Sequence, residues 1–124
     1  MYKITIIDSF SAAHYLRNYD GKCENLHGHN WKIQVHVSGT VLDKAGMLID
    51  FGVVKKALKK ILLLLDHKNL NEEVEFFQKE NPSSENIARF LFEKLEELIN
   101  SENYQVQGIT VYETDTSYCT YTKD

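Results

Sequence analysis

The sequence predicts an α+β domain in which an antiparallel four-stranded sheet carries two helices on one face. Three observations predict this class. Apolar and polar residues alternate near both ends of the chain, as in strands with one buried face. Between these segments the apolar spacing changes to steps of three and four, as in amphipathic helices. The resulting order, strand, strand, helix, helix, strand, strand, packs most simply as a sheet covered on one side.

Two strands at the start of the chain form a predicted hairpin. Residues 2–14 alternate with one interruption, and residues 29–41 alternate more cleanly. A turn region around Asp20 and Gly21 separates them, and the loop there carries Cys23. Sequential strands usually pair, so the end of the first strand is expected beside the start of the second.

The remaining elements follow in order. Residues 51–65 predict an amphipathic helix with Asp50 as its cap, and the stretch "NPSSEN" predicts a second helix capped by Ser83. Residues 104–113 and 117–122 then predict two more strands joined by a short turn. The uncovered face and edges of such a sheet suggest a closed homo-oligomer.

Composition and charge fit one domain spanning residues 1–124. Of the 124 residues, 43% are apolar, which is enough for a core. The net charge is −4 and no basic tract is present, so nucleic acid is not the expected partner. No signal peptide or membrane-length apolar run is apparent, so we expect a cytoplasmic protein that does not bind membranes.

Three histidines are candidates for one metal site. His27 and His29 lie two residues apart, so they project to the same side if the second strand begins at or just before them. His14 ends the first strand on its apolar parity, and the hairpin would bring it to the same place. Three imidazoles and an open position form a typical catalytic zinc site. Alternatively, all three are ordinary, partly buried, hydrogen-bonded residues. His36 lies on the polar face and is expected to be a solvated residue without a role.

Cys23 has two possible functions that its spacing does not separate. It lies four residues before His27. A thiol there could be the fourth ligand of a purely structural zinc site. It could instead remain unbound near the ion as a thiolate that acts as a base or nucleophile.

Three ionisable residues outside the hairpin are further candidates for catalysis or substrate binding. Asp66 and His67 are adjacent, so the carboxylate could orient the imidazole and raise its basicity, although such pairs also occur at helix ends for structural reasons. Glu113 shares the apolar parity of its strand. A carboxylate there is either already exposed at the strand end or buried to bind the N–H groups of a heterocycle.

These residues stand in motifs that run along nearly the whole chain: "FSAAH", "C-x-x-L-H-G-H", "GMLIDFGVVK", "LDHKNLN", "NPSSEN" and "VYET". In this order they resemble the 6-pyruvoyl-tetrahydropterin synthase family, and most closely its bacterial branch of 6-carboxy-5,6,7,8-tetrahydropterin synthases in queuosine biosynthesis. The resemblance implies a tunnelling fold, in which the sheets of several subunits close into a barrel with helices outside. It also implies a hexamer with active sites between subunits.

The resemblance assigns a role to each candidate residue. The implied roles are zinc binding by His14, His27 and His29, general base catalysis by Cys23, a proton relay by Asp66 and His67 from a neighbouring subunit, and pterin binding by Glu113, Ser83 and Ser84. The family often has threonine at one or both of the last two positions. Some relatives replace the cysteine by glutamate and make a folate precursor, whereas this chain keeps Cys23.

The substrate that the resemblance implies is 7,8-dihydroneopterin triphosphate. In the carboxy branch of the family, this substrate loses triphosphate and acetaldehyde. Three cationic residues of this chain could bind the triphosphate: Arg17, Lys22 or Lys68. The alternatives are another product on the same fold, 6-pyruvoyl-tetrahydropterin or a folate intermediate, and a non-enzymatic module with a structural zinc. The choice of branch rests on similarity, since no physical argument from the residues selects it.

Overall fold

The structure is a computed structural model that describes residues 1–21 and 24–124. Strands at the two ends of the chain enclose the helices in sequence, as the alternation predicts. The elements are β1 (Tyr2–His14), β2 (His27–Gly39), α1 (Phe51–Leu62), β3 (Lys68–Asn69), α2 (Leu70–Glu73), α3 (Phe76–Lys79), α4 (Ser84–Ile99), β4 (Tyr104–Thr114) and β5 (Ser117–Tyr121).

The sheet is mixed and has five strands, in the order β3-β1-β2-β4-β5. Neighbouring strands are antiparallel except β1 and β3, which pair in parallel through Ala12 with Lys68 and Ala13 with Asn69. The predicted antiparallel four-stranded sheet is therefore wrong in strand number and direction. A two-residue strand has no period, so the alternation that identifies the other four strands cannot reveal it.

The two predicted helices are α1 and α4, and two single-turn helices, α2 and α3, lie between them. Both predicted caps are present. Asp50 accepts a hydrogen bond from the Gly52 N–H at 2.7 Å, and Ser83 accepts one from the Asn86 N–H at 3.1 Å. None of the helices in the described part of the chain is long and apolar enough to cross a bilayer.

The core lies between one sheet face and the two long helices. On β2 the odd-numbered residues from Trp31 to Val37 are fully buried, while their even-numbered neighbours are only partly covered. Phe10 stacks on Trp31, and the Trp31 Nε1–H donates to the Ala12 carbonyl at 3.2 Å. The candidate histidines continue this buried parity at the end of the hairpin.

The opposite sheet face carries a row of hydrogen bonds that crosses four strands. His36 Nδ1 lies 3.0 Å from Thr5 Oγ1, and His36 Nε2 lies 3.3 Å from Thr110 Oγ1. Thr110 Oγ1 in turn lies 2.8 Å from Thr120 Oγ1. The expectation that His36 is simply solvated is wrong, because it is partly buried and bonded on both sides. Burial, together with the nearby charge of Lys3, lowers the His36 pKa.

Candidate metal centre

The register of the β1–β2 hairpin brings three imidazoles together. His14 lies opposite His27, and Ala12 lies opposite His29. The ring centroids are 4.7 Å apart for His14 and His27, 5.3 Å for His14 and His29, and 4.9 Å for His27 and His29. β2 begins at His27, so the two residues of the His-x-His stretch project to the same side.

Backbone carbonyls orient two of these rings. His14 Nδ1 donates to the Pro82 carbonyl oxygen at 2.7 Å, and His27 Nδ1 donates to the Asn25 carbonyl oxygen at 2.8 Å. A neutral ring that donates through Nδ1 carries its lone pair on Nε2, the atom that can bind a metal. Burial is the main cause that lowers the His14 pKa, which favours this neutral form.

Two of the inward nitrogens have no hydrogen-bond partner among residues 1–21 and 24–124. Nε2 of His14 and Nε2 of His29 are both buried and unbonded. His29 Nε2 does lie 3.1 Å from Glu113 Oε1, but the two atoms are not aligned for a hydrogen bond. Buried polar atoms are almost always paired, and neutral imidazole nitrogens that converge in this way are the donors that a metal ion binds.

Glu113 completes the cluster from the neighbouring strand. The register of β4 and β5 shifts between Tyr112 and Thr114, so Glu113 lies at a β-bulge, a feature that redirects a side chain. Its Oε2 accepts a hydrogen bond from Ser84 Oγ at 3.4 Å. One potential ligand atom from each of His14, His27, His29 and Glu113 lies within 4.8 Å of the others. Neutral imidazoles with a carboxylate fit a divalent transition metal.

Asp66 and His67 lie at the edge of β1. Asp66 Oδ1 accepts the Ser11 N–H at 2.9 Å, and the His67 N–H donates to the Ser11 carbonyl oxygen at 2.5 Å. Asp66 Oδ2 lies 3.1 Å from His67 Nδ1, so the two form the pair that the sequence suggests. The His67 side chain is 81% exposed, and the metal-capable group found among the described residues does not include either member of the pair.

Comparison with known proteins identifies the family. Residues 3–124 match the family model described as 6-pyruvoyl tetrahydropterin synthase. The chain belongs to this family. It is 36% identical over 142 residues to the 6-carboxy-5,6,7,8-tetrahydropterin synthase of Haemophilus influenzae, covering 98% of this chain and 99% of that protein. It is 39% identical over 118 residues to the Synechocystis protein of the same name, covering 91% and 87%.

Solved structures agree with this membership of the 6-pyruvoyl tetrahydropterin synthase family. The 6-pyruvoyl tetrahydropterin synthase of Caenorhabditis elegans superposes with a TM-score of 0.88 at 34% identity, covering 99% of this chain and 96% of that chain. A Plasmodium vivax 6-pyruvoyltetrahydropterin synthase shares the fold with a TM-score of 0.78 at 20% identity, covering 99% and 98%. The whole described fold is thus that of the family.

The other family motif residues have mixed placements. Cys23 lies outside the described residues. Ser83 uses its hydroxyl to cap α4, whereas Ser84 turns its hydroxyl to Glu113. Of these two serines, only Ser84 therefore contacts a member of the metal-capable group through a hydrogen bond recorded in the structure.

The three cationic side chains that the sequence offers for triphosphate binding differ in their surroundings. The Arg17 guanidinium donates to the carbonyl oxygens of Phe77 at 2.6 Å and Glu80 at 2.9 Å, so backbone acceptors already engage it. Lys22 is outside the described residues. Lys68 lies in β3 and is partly covered.

The sequence did not predict the contribution of the Pro82 carbonyl to the site, because no side-chain pattern can indicate it. It also did not predict the burial of Asn71, which is only 3% exposed and pairs with the backbone of Tyr15, the residue after His14. Asn71 Oδ1 accepts the Tyr15 N–H at 3.0 Å, and Asn71 Nδ2 donates to the Tyr15 carbonyl at 2.8 Å. The only available signal was a polar residue inside "LDHKNLN", which looks the same as an exposed loop residue.

Proposed function

We propose that the protein is a zinc-dependent lyase. It would convert 7,8-dihydroneopterin triphosphate and one water to 6-carboxy-5,6,7,8-tetrahydropterin, releasing triphosphate and acetaldehyde, in the biosynthesis of queuosine. The observation that carries the proposal is the pair of buried Nε2 atoms of His14 and His29, which make no hydrogen bond within the described part of the chain and lie beside the Glu113 carboxylate. Leaving such atoms unsatisfied is costly, so they indicate a bound group. The near full-length similarity to the Haemophilus protein supports the carboxy branch.

His14, His27 and His29 would hold the zinc through Nε2, with their outward nitrogens fixed on carbonyls in the first two cases. When bound, zinc would supply Lewis acidity that lowers the pKa of a side-chain hydroxyl of the substrate. The buried Trp31 lies edge-on to His14 and His29 and would exclude water from that side.

The remaining roles follow from charge and position. Glu113 would accept the N–H groups of the pterin ring, with Ser84 holding its second oxygen, and Ser83 would shape the same segment. Cys23 would be the general base that moves protons along the substrate side chain. Asp66 and His67 would serve as its relay, and the 81% exposure of the His67 side chain supports a relay offered to the site of a neighbouring subunit.

The protein would act as a homo-oligomer, as a hexamer of single-domain subunits spanning residues 1–124. Tyr2, Met47 and Phe51 are 51%, 40% and 55% exposed and line one cavity of about 250 Å³. Exposed apolar side chains gathered in one place are typical of an interface. The outer edge of β5 is also open, because β5 ends the strand order.

Cys23→Ala tests the proposal against a structural zinc. If Cys23 is the base, the variant should retain its zinc and its melting temperature and lose turnover by at least about a hundredfold. If Cys23 is the fourth ligand of a structural site, zinc content and melting temperature should both fall. Loss of zinc in this variant would therefore contradict the proposal.

A second candidate function is the formation of 6-pyruvoyl-tetrahydropterin. It is favoured by the similarity to a putative 6-pyruvoyl tetrahydrobiopterin synthase of Caenorhabditis elegans, which is 36% identical to this chain over 127 residues. The assay uses zinc-loaded protein and 7,8-dihydroneopterin triphosphate. Acetaldehyde released in a one-to-one ratio with triphosphate supports the carboxy branch. Triphosphate release without acetaldehyde would instead favour the pyruvoyl product.

A further inference from the structure

The segment between α3 and α4, residues 80–83, has no regular secondary structure, yet two contacts of the candidate metal centre depend on it. The Pro82 carbonyl oxygen accepts the His14 Nδ1–H at 2.7 Å. Immediately after the segment, Ser84 Oγ donates to the Glu113 carboxylate. The position of these few residues therefore sets the orientation of a buried imidazole and of the carboxylate opposite it.

A pair of side chains, which we call the Arg17–Asn81 clasp, ties this segment to the chain that follows β1. Asn81 Oδ1 accepts the Arg17 N–H at 2.9 Å, and Asn81 Nδ2 donates to the Arg17 carbonyl at 2.8 Å. The amide thus pairs with the backbone as a neighbouring strand would. The guanidinium adds hydrogen bonds to Asn81 Oδ1 at 3.2 Å and to the carbonyls of Phe77, Gln78 and Glu80.

We propose that Arg17 and Asn81 are positioning residues of the metal centre, acting through the Pro82 carbonyl on the tautomer and ring orientation of His14. Arg17 is three residues beyond His14, so the clasp fixes the donor and its acceptor relative to each other. From the other side, Asn86 Nδ2 donates to the Asn81 carbonyl at 2.9 Å and ties the segment to α4. The inference rests on the proposed metal site and is independent of the proposed reaction.

The chemistry of the clasp explains its residue types. A guanidinium presents several N–H donors in one plane and stays charged, which suits a group of carbonyl oxygens. A lysine ammonium cannot reproduce this planar set of bonds. Outer partners of metal-bound histidines typically change metal affinity by about 10- to 100-fold when they are removed. Displacing Pro82 should have an effect of this kind on His14.

The test measures Co²⁺ binding and the His14 ring directly. The variants are Arg17→Lys, which keeps the charge and the long aliphatic stem, and Asn81→Ala, which removes the amide. Co²⁺ affinity is measured by competition with a chelator, and the visible spectrum of bound Co²⁺ reports ligand geometry. Nitrogen-15 NMR of the metal-free protein reports which nitrogen of His14 carries the proton. All measurements use a temperature at which circular dichroism shows each variant to be folded.

Both variants should bind Co²⁺ about tenfold or more weakly, with an altered visible spectrum and a mixed His14 tautomer. The matched control is Arg89→Lys. Arg89 lies on α4, and one of its guanidinium nitrogens is 3.6 Å from Glu80 Oε1, but it makes no recorded bond to the backbone of residues 80–83. It should behave like the original protein. The inference is overturned if Arg17→Lys keeps both the affinity and the His14 tautomer of the control. Failure of the original protein to bind Co²⁺ would instead refute the metal site, and the tautomer measurement would still decide the role of the clasp.

Discussion

His14 is the most constrained of the candidate ligands, because it is 2% exposed, bonded to Pro82 and in edge contact with three other rings. We predict that His14→Ala lowers bound zinc to below about a tenth of one ion per chain, since a site that loses one of three imidazoles loses most of its affinity. His36→Ala is the control, because His36 lies on the opposite sheet face. Metal analysis after gel filtration gives the answer, and full zinc content in the His14 variant would contradict the ligand assignment.

The lowered pKa of Asp66 should make the free energy of unfolding depend on pH. The Ser11 N–H and, secondarily, His67 hold the Asp66 pKa below its usual 3.8. The unfolded chain therefore binds the proton more readily, and Asp66 stabilises the fold above about pH 3.8 and progressively less as the pH falls below it. The difference in unfolding free energy between the original protein and Asp66→Asn should shrink from pH 6 to pH 3 in urea titrations. Glu97→Gln, at an exposed position of α4, is the control, and a difference that grows on acidification would exclude this account.

Some residues of the candidate site could be predicted from the sequence, and others could not. Strand parity predicted that His27 and His29 project to the same side, because side-chain direction in a strand depends only on position, whereas Glu113 lies at a β-bulge that a regular alternation does not indicate. The contributions of Pro82 and Asn81 could not be predicted in this way. A carbonyl oxygen has no sequence signature, and an asparagine amide pairs with whatever backbone the tertiary fold brings to it.

At the scale of elements, the short segment that follows α1 extends the sheet edge. β3 pairs with Ala12 and Ala13, and the Asn71 amide then continues the same edge at Tyr15. The alternating and helical periods predicted the six long elements because each repeats its period several times. β3, α2 and α3 were missed because two to four residues are too few to show a period.

Asn71→Ala should therefore destabilise the protein strongly. Removing a buried partner takes one hydrogen bond from the Tyr15 N–H and one from its carbonyl, and each such loss costs about 1–3 kcal/mol, so we expect about 2–6 kcal/mol in total. Urea unfolding monitored by Trp31 fluorescence measures the change. Asn30→Ala, which removes an exposed amide bonded to Ser11, should cost less than about 0.5 kcal/mol. Equal costs at the two positions would show that Asn71 is no more than a surface residue.

At the scale of the whole molecule, the proposed relay residues Asp66 and His67 are not members of the metal-capable group formed by the described residues of one chain. If neighbouring subunits supply this relay, mixing inactive Cys23→Ala and His67→Ala chains should restore part of the activity, because some sites then receive an intact residue of each kind. Unfolding and refolding the mixture together allows subunits to exchange. The control is the same mixture held at a concentration at which light scattering shows only single 14.4 kDa chains. Activity that never exceeds that of the separate variants would place both residues in one subunit's site.

All three candidate imidazoles belong to the first hairpin, whereas the carbonyl that fixes His14 and the carboxylate of Glu113 come from the last half of the chain. During synthesis the ribosome thus delivers the nitrogen ligands well before the groups that orient and enclose them. An ion bound by this hairpin alone would therefore meet three imidazoles only, and the Glu113 carboxylate would join them when β4 is added.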